Sequence, residues 1–322
     1  MVRRCDRISY ALARNMSLQL TFLGTGSGKP MPHRNVSSLT LFRDGELFMF
    51  DCGEATQIQL SKSAMKPGAL EAIFITHFHG DHVNGLPGLI GSLTLNQRER
   101  PLDLIGPSGM KEWFAKLRQL SILWPSFPVR IHEVDGPGPV YEHDNFTVTA
   151  KPLKHRIETW GYRLVEEERP GRFDVGAARE LGVPSGPMFG ELQSGKSVTL
   201  DDGSVVDPHE VLGPARPGFK MAYCADTQPC DSCGELAKDV DVLVHESTYP
   251  AGEEELAHER GHSTAADAAR CARDAEARKL ILTHISQRYT RLDQIESGAR
   301  EIFEETEVAE DLDEFTFDRR EV

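Results

Sequence analysis

Short apolar runs separated by polar turns recur along most of the chain, and this pattern predicts an α/β protein. Runs of this length, bounded by turn residues, are typical of buried strands. The predicted strands cover residues 18–23, 47–50, 72–76, 146–150, 219–225, 240–244 and 279–283. Segments with helical spacing lie between some of them, including 265–277 and 293–305, and residues 308–317 are predicted to form a last edge strand.

Residues that can bind a metal ion follow the predicted strands at the point where each strand ends. They are Asp51, His77, His155, Asp226, His245 and His284. Strands that run in the same direction end at one edge of a sheet, where loops bring side chains toward a common point. One histidine after a strand is usually an ordinary half-buried ring. The repetition of the pattern favours a shared site.

The most concentrated signal is the segment His-Phe-His-Gly-Asp-His, from His77 to His82. His77 and His79 can point to one metal ion from an extended turn. Gly80 permits a sharp reversal, after which Asp81 and His82 are directed at a second ion. Imidazole ligands suit zinc, and the carboxylate makes Mn²⁺ or Fe²⁺ an alternative. Structural zinc sites are closed by four protein ligands, commonly cysteines, so this set favours a catalytic site that is open to water.

Composition and charge narrow the classes of partner. The hydrophobic fraction of 39% and the 28 glycines are typical of a folded globular protein. The formal net charge of −14 provides no overall attraction to RNA or to an anionic membrane, so a polyanion must meet a local basic patch or a metal ion. No apolar run approaches the roughly 20 residues of a membrane span, and no secretory signal is apparent. With six cysteines in 322 residues, we expect a reduced, cytoplasmic protein with no membrane partner.

The density of glycine and proline divides the chain into regions. Residues 167–217 contain several Gly/Pro clusters, which argue against a regular sheet and predict an inserted arm. Residues 1–16 are polar and aperiodic, and we expect them to form a disordered extension. Residues 17–322 are predicted to form one domain that contains the arm.

The His77–His82 segment resembles the signature of the metallo-β-lactamase superfamily. Further motifs, in the same order along the chain, resemble the ribonuclease Z family of tRNA 3′-processing endonucleases. They occupy residues 22–28, 50–54, 76–82, 85–88, 226–227, 245–248 and 261–264. The resemblance spans about residues 18–317. It implies a four-layer αββα sandwich with a metal site at its rim and a protruding arm that binds tRNA.

The resemblance also implies two Zn²⁺ ions per subunit and a role for each site residue. The implied ligands are His77, His79 and His155 for one ion, Asp81, His82 and His284 for the other, and the bridging Asp226 for both. Asp81 is also the candidate general base, and His262, oriented by Glu246, is the candidate proton donor to the departing 3′-oxygen. Asp51 and His245 are predicted to support the ligands through hydrogen bonds.

The implied partners are precursor tRNA and a second copy of the chain, as a homodimer. The family carries a Pro-x-Lys-x-Arg-Asn loop, and residues 30–35 read Pro-Met-Pro-His-Arg-Asn, without the lysine. Arg34 and Asn35 are predicted to contact a phosphate and a base edge. Residues 166–218 carry ten acidic and five basic side chains, which is a poor electrostatic match for RNA unless the basic residues line one face.

Three functions remain open at this point. The leading one is a zinc-dependent endoribonuclease that removes the 3′ trailer of precursor tRNA and leaves a 3′-hydroxyl. The second is a hydrolase of small esters or phosphodiesters on the same fold, such as a lactonase, a thioesterase or a cyclic-nucleotide phosphodiesterase. The third is a metal-free RNA-binding or scaffold protein, which the complete set of metal-binding side chains argues against.

Overall fold

The computed structural model describes residues 17–121 and 124–318. The strands of the first half are β1 (Ser17–Gly24), β2 (Ser38–Arg43), β3 (Glu46–Phe50), β4 (Leu70–Phe74), β5 (Leu102–Pro107), β6 (Val129–Val134), β7 (Gly138–His143) and β8 (Phe146–Pro152). Those of the second half are β9 (Trp160–Glu166), β10 (Val198–Thr199), β11 (Val205–Val206), β12 (Lys220–Cys224), β13 (Val242–Glu246), β14 (Leu280–Thr283), β15 (Thr306–Val308) and β16 (Glu314–Asp318).

Two seven-stranded mixed sheets contain all of these strands except β10 and β11. The first has the order β16-β1-β2-β3-β4-β5-β6, and its strands β3 to β6 are parallel. The second has the order β15-β14-β13-β12-β9-β8-β7, and its strands β12 to β15 are parallel. Each sheet therefore has a parallel half whose strands end at one edge, as the strand-end pattern in the sequence requires.

Aromatic side chains fill the space between the two sheets. The ring of Phe50 on β3 lies 5.6 Å from that of Tyr223 on β12, and the ring of Phe74 on β4 lies 5.5 Å from that of Tyr162 on β9. The hydroxyl group of Tyr162 donates a hydrogen bond to the carbonyl oxygen of Ile75 at 2.6 Å. Both tyrosines are buried, so each needs such a partner for its polar end.

The described residues also form α-helices. They are α1 (Thr56–Lys62), α2 (Gly80–Val83), α3 (Leu86–Leu95), α4 (Met110–Ser121), α5 (Val175–Glu180), α6 (Pro187–Gln193), α7 (Asp231–Ala237), α8 (Glu254–Arg260), α9 (Ala265–Asp274) and α10 (Leu292–Arg300). Helices α1, α3 and α4 pack on the first sheet, and α7, α9 and α10 pack on the second. The result is the predicted αββα sandwich.

The Glu166–Phe219 segment forms a compact unit of its own. It contains α5, α6 and the short hairpin of β10 and β11, around a small core of Ala178, Val183, Leu192, Val198, Val206 and Val211. The second compact unit contains the described residues up to Val165 together with Lys220–Asp318.

The prediction of a single edge strand at 308–317 is wrong, because this segment contains parts of two strands that belong to different sheets. Strand β15 pairs with β14 of the second sheet, whereas β16 pairs with β1 of the first. The predicted extension at 1–16 lies outside the described residues. Within the described ranges, no helix is both long enough and apolar enough to cross a membrane.

Gly85 lies where the loop after β4 touches the end of β3, and this contact tests the fold. A Cβ atom on Gly85 would lie 2.0 Å from the carbonyl oxygen of Gly53, a backbone atom that cannot swing away. Gly85→Ala is therefore expected to lower the free energy of unfolding by about 1–3 kcal/mol, measured by urea denaturation.

Gly91, in the middle of α3, is the matched control. A Cβ atom there meets nothing within 4 Å. Gly91→Ala is expected to raise the free energy of unfolding by up to about 1 kcal/mol, because alanine is the better helix former. Equal effects of the two substitutions would contradict the close backbone contact at Gly85.

Candidate metal centre

The carboxyl ends of strands from both sheets deliver the site residues. Asp51 directly follows β3, and His77 lies just beyond β4 in the first sheet. Asp226 lies just beyond β12, Glu246 ends β13 and His284 directly follows β14 in the second sheet. The backbone φ angles of Asp51 and His284 are 57° and 58°, an uncommon conformation for residues other than glycine. Such strain is characteristic of functional sites.

The first group of potential ligands comprises His77, His79, His155 and Asp226, whose donor atoms all lie within 4.8 Å of one another. The Nε2 atoms of His77 and His155 each lie 3.7 Å from Oδ2 of Asp226. Nδ1 of His155 hydrogen-bonds to the carbonyl oxygen of Gly261 at 2.7 Å, which orients its ring. Burial, together with the neighbouring His82, holds the pKa of His77 well below its ordinary value, so this imidazole is neutral as a metal ligand must be.

The second group comprises Asp81, His82 and His284. The Nε2 atoms of His82 and His284 lie 3.2 and 3.1 Å from Oδ1 of Asp226. Oδ2 of Asp81 lies 3.4 Å from Nε2 of His284 and accepts a hydrogen bond from the backbone N–H of Gly28 at 2.7 Å. The two oxygens of Asp226 therefore face different groups, with Oδ2 toward the first and Oδ1 toward the second.

Two buried polar atoms indicate that a cation fits beside the second group. Nε2 of His82 and Oδ1 of Asp226 have no hydrogen-bond partner in the described part of the chain. Nδ1 of His82 hydrogen-bonds to Oδ2 of Asp51 at 2.7 Å, which directs Nε2 toward Oδ1 of Asp226 at 3.2 Å. Burial disfavours the charged ring, but Asp226 and Asp51 more than offset this effect and raise the pKa of His82 well above its ordinary value. The surroundings of Nε2 therefore favour a positive charge between the two atoms, and a divalent metal ion that displaces the proton supplies that charge.

Asp51 lies behind the ligands, where it is completely buried. Besides His82, it accepts hydrogen bonds from the backbone N–H of Thr76 at 2.8 Å and from the hydroxyl of Tyr223 at 3.0 Å. Burying a carboxylate without such donors would greatly lower the stability of the fold, and these hydrogen bonds also fix the orientation of the side chain. Asp51 therefore orients the ring of His82 through a hydrogen bond with Nδ1 and leaves Nε2 for a metal ion. Histidines that bind metal ions are commonly oriented in this way.

His262 and Glu246 form a second carboxylate–imidazole pair beside Asp226. Nδ1 of His262 lies 2.9 Å from Oε1 of Glu246 and 3.9 Å from Oδ2 of Asp226. Burial disfavours the charged ring, but Glu246 more than offsets this effect and raises the pKa of His262 to about 9. The imidazole is thus protonated at neutral pH and can donate a proton.

The remaining predicted residues lie farther from the ligands or inside the protein. His245 precedes Glu246 on β13, so its side chain points to the opposite face, where it lines a cavity with Ser263 and Asp267. Arg34 and Asn35 are each 8% exposed. The Arg34 guanidinium donates to the hydroxyl of Thr25 and to the carbonyl oxygen of Ala309. The supporting role of His245 and the RNA contacts of Arg34 and Asn35 stay predictions.

Sequence reasoning missed two threonines and one tyrosine that contact the site carboxylates. Thr76 immediately precedes His77, and Thr248 lies two residues after Glu246. Tyr223, in the middle of an apolar strand, reaches Asp51 with its hydroxyl at 3.0 Å. The two threonines stand inside the quoted motifs, so their proximity to the ligands was available as a signal, whereas nothing local marked Tyr223.

Two family models match parts of the chain. Residues 18–119 match the model described as the Anti-Pycsar protein Apyc1, and residues 192–285 match a beta-lactamase superfamily domain. Among solved structures, human tRNase Z, short form, superposes with a TM-score of 0.68 at 28% sequence identity, covering 94% of this chain and 99% of that one.

Relatives of similar length match the chain almost from end to end. A ribonuclease Z from Nostoc sp. is 46% identical over 310 residues, which cover 94% of this chain and 96% of the relative. A ribonuclease Z from Geobacillus kaustophilus is 44% identical and is covered over 100% of its length. Identity at this level over nearly the whole of both chains, together with the metallo-β-lactamase-like sandwich and its ligand groups, shows that the chain belongs to the ribonuclease Z family.

Proposed function

We propose that this chain is a metal-dependent endoribonuclease that removes the 3′ trailer from precursor tRNA and leaves a 3′-hydroxyl on the tRNA. The observation that carries the proposal is the position of Asp226, whose two carboxylate oxygens face two groups of metal-ligand atoms. A carboxylate shared in this way suits a pair of divalent ions. Family membership directs that chemistry to a phosphodiester of tRNA.

The residues present fit two Zn²⁺ ions per subunit, with Mn²⁺ or Fe²⁺ as the alternatives. The assigned ligands are His77, His79 and His155 for one ion, Asp81, His82 and His284 for the other, and Asp226 for both. Two divalent ions held close together lower the pKa of bound water and stabilise charge on the attacking and leaving oxygens of a phosphodiester.

Two side chains move protons in this proposal. Glu246 accepts a hydrogen bond from Nδ1 of His262, so Nε2 is the atom that donates a proton to the departing 3′-oxygen. The raised pKa of His262, about 9, keeps that proton in place at neutral pH. Asp81 accepts the proton of the attacking water on Oδ1, because Gly28 already engages its Oδ2.

RNA contact is proposed for two regions. Lys29 and His33 are the exposed basic side chains in the turn whose Gly28 N–H binds Asp81, so they can meet phosphates next to the site. The Glu166–Phe219 unit, with its own core, is proposed to contact the body of the tRNA by shape, because its acidic surplus limits phosphate contacts. As in the family resemblance, a cytoplasmic homodimer is proposed.

Replacement of the proton donor tests the catalytic assignment. His262→Ala is expected to keep both metal ions and to slow single-turnover cleavage of a precursor tRNA about 100- to 10,000-fold, the usual contribution of a general acid. His258→Ala is the matched control, because His258 hydrogen-bonds to Asp267 at 2.9 Å and has no part in the proposed chemistry. Cleavage by His262→Ala at the rate of the unsubstituted chain would contradict the assignment.

Metal dependence and substrate class are tested together on a precursor tRNA with a 3′ trailer. The protein is expected to contain about two metal ions per chain and to cut once at the trailer junction, with a free 3′-hydroxyl on the tRNA product. Chelation should abolish cleavage, and Zn²⁺ should restore it, because the ligand groups then regain their cations.

Other outcomes of the same assay favour the other functions. Fast, metal-dependent turnover of a compact ester or cyclic phosphodiester without cleavage of the tRNA would favour the small-molecule hydrolase. A protein that binds the tRNA but contains no metal ion would favour the non-enzymatic reading. Either result would overturn the proposed endonuclease.

A further inference from the structure

Two buried carboxylates, one from each sheet, each accept hydrogen bonds from a threonine and a histidine. Asp51 accepts from the backbone N–H of Thr76 at 2.8 Å, from the Thr76 hydroxyl at 3.0 Å and from Nδ1 of His82 at 2.7 Å. Its side chain is completely buried. The threonine thus donates through both its backbone and its side chain, the histidine donates through Nδ1, and the hydroxyl of Tyr223 is a further donor.

Glu246 repeats this pattern on the other side of the site. It accepts from the backbone N–H of Thr248 at 3.1 Å, from the Thr248 hydroxyl at 2.6 Å and from Nδ1 of His262 at 2.9 Å. It is completely buried as well. The backbone N–H of Thr227 is a further donor to Glu246 at 2.9 Å. Segments from the two sheets, with different local sequences, therefore share one arrangement of carboxylate, threonine and histidine.

Each threonine hydroxyl also contacts a proposed metal ligand. Oγ1 of Thr76 lies 2.9 Å from Nδ1 of His77, and Oγ1 of Thr248 lies 2.9 Å from Nδ1 of His284. A hydroxyl group has one hydrogen, and both hydroxyls give theirs to a carboxylate. Each hydroxyl oxygen can then only accept from the histidine, so Nδ1 of His77 and Nδ1 of His284 must carry the proton.

This assignment leaves the lone pair of each ring on Nε2. Nε2 of His77 lies 3.7 Å from Oδ2 of Asp226, and Nε2 of His284 lies 3.1 Å from Oδ1. In the other tautomer, the proton on Nε2 would occupy the position of the cation. The hydroxyls therefore select the ring form that can bind a metal ion, and each hydroxyl acts on the ligand of a different ion.

We propose that Thr76 and Thr248 are matched positioning residues, which fix the proton on Nδ1 of His77 and of His284 and thereby prepare one ligand for each metal ion. The inference rests on the proposed function only for the presence of the two ions. Thr248 has a second role, because its hydroxyl and backbone hold the carboxylate that orients His262. Thr76 holds the carboxylate that orients His82.

The test measures Zn²⁺ affinity by competition with a chromophoric chelator, without RNA. Thr76→Val and Thr248→Val keep the shape of the side chain and remove its hydroxyl. Each is expected to weaken the binding of the Zn²⁺ ion whose ligand the hydroxyl contacts about 10- to 100-fold. The other ion should be less affected, because Asp51 and Glu246 keep their hydrogen bonds from the backbone N–H groups of Thr76 and Thr248. The double variant should bind both ions weakly. Thr76→Ser and Thr248→Ser keep the hydroxyl and should restore the affinity.

Thr283→Val is the matched control. Thr283 is 5% exposed and lies next to His284, but its hydroxyl has no hydrogen bond to a site residue among the described residues. This variant should bind two Zn²⁺ ions as the unsubstituted chain does. Nitrogen-15 NMR of the zinc-loaded, unsubstituted protein gives an independent readout, since Nδ1 of His77 and His284 should carry a proton.

The outcomes separate the inference from the proposed function. An unsubstituted chain that binds fewer than two Zn²⁺ ions would overturn both. Two tightly bound ions in both valine variants, no rescue by serine, or protonated Nε2 atoms in the NMR spectrum would overturn the inference alone. If a valine variant fails to fold, the NMR readout still decides which nitrogen carries the proton.

Discussion

The arrangement of the site depends on one buried carboxylate, that of Asp226, which is only 2% exposed. Its two oxygens face histidines that come from both sheets of the sandwich. Burial alone would raise the pKa of Asp226, but the imidazoles of His284 and His82 hold it well below the ordinary value. An ionised carboxylate in this position needs positive charge on both sides, and a pair of divalent cations provides it.

The fold supplies this geometry because the parallel halves of two sheets end at the same rim. Phe50 and Tyr223 pack against each other between the sheets, and Tyr223 also donates to Asp51. The aromatic interior and the metal centre are thus joined by a hydrogen bond. A substitution that shifts one sheet against the other is expected to disturb ligand geometry before it unfolds the chain, since metal ligation tolerates only small displacements.

Local patterns singled out the residues of the two candidate ligand groups, because each follows a short apolar strand or lies within the His77–His82 segment. The contacts of Thr76 and Tyr223 with Asp51, and of Thr248 with His284, were not predictable, since they depend on which strand ends meet in three dimensions. The buried position of Arg34 was missed for a similar reason, as its guanidinium bonds to Ala309, which is remote in sequence. The segment 308–317 was interpreted as one strand, because nothing local indicates that it passes between sheets.

The most direct test of the shared carboxylate is anomalous X-ray diffraction from crystals of the zinc-loaded protein. The account predicts two zinc peaks per chain, one on each side of Asp226, with Oδ2 bound to the first ion and Oδ1 to the second. A single peak, or two peaks that Asp226 does not contact, would contradict it.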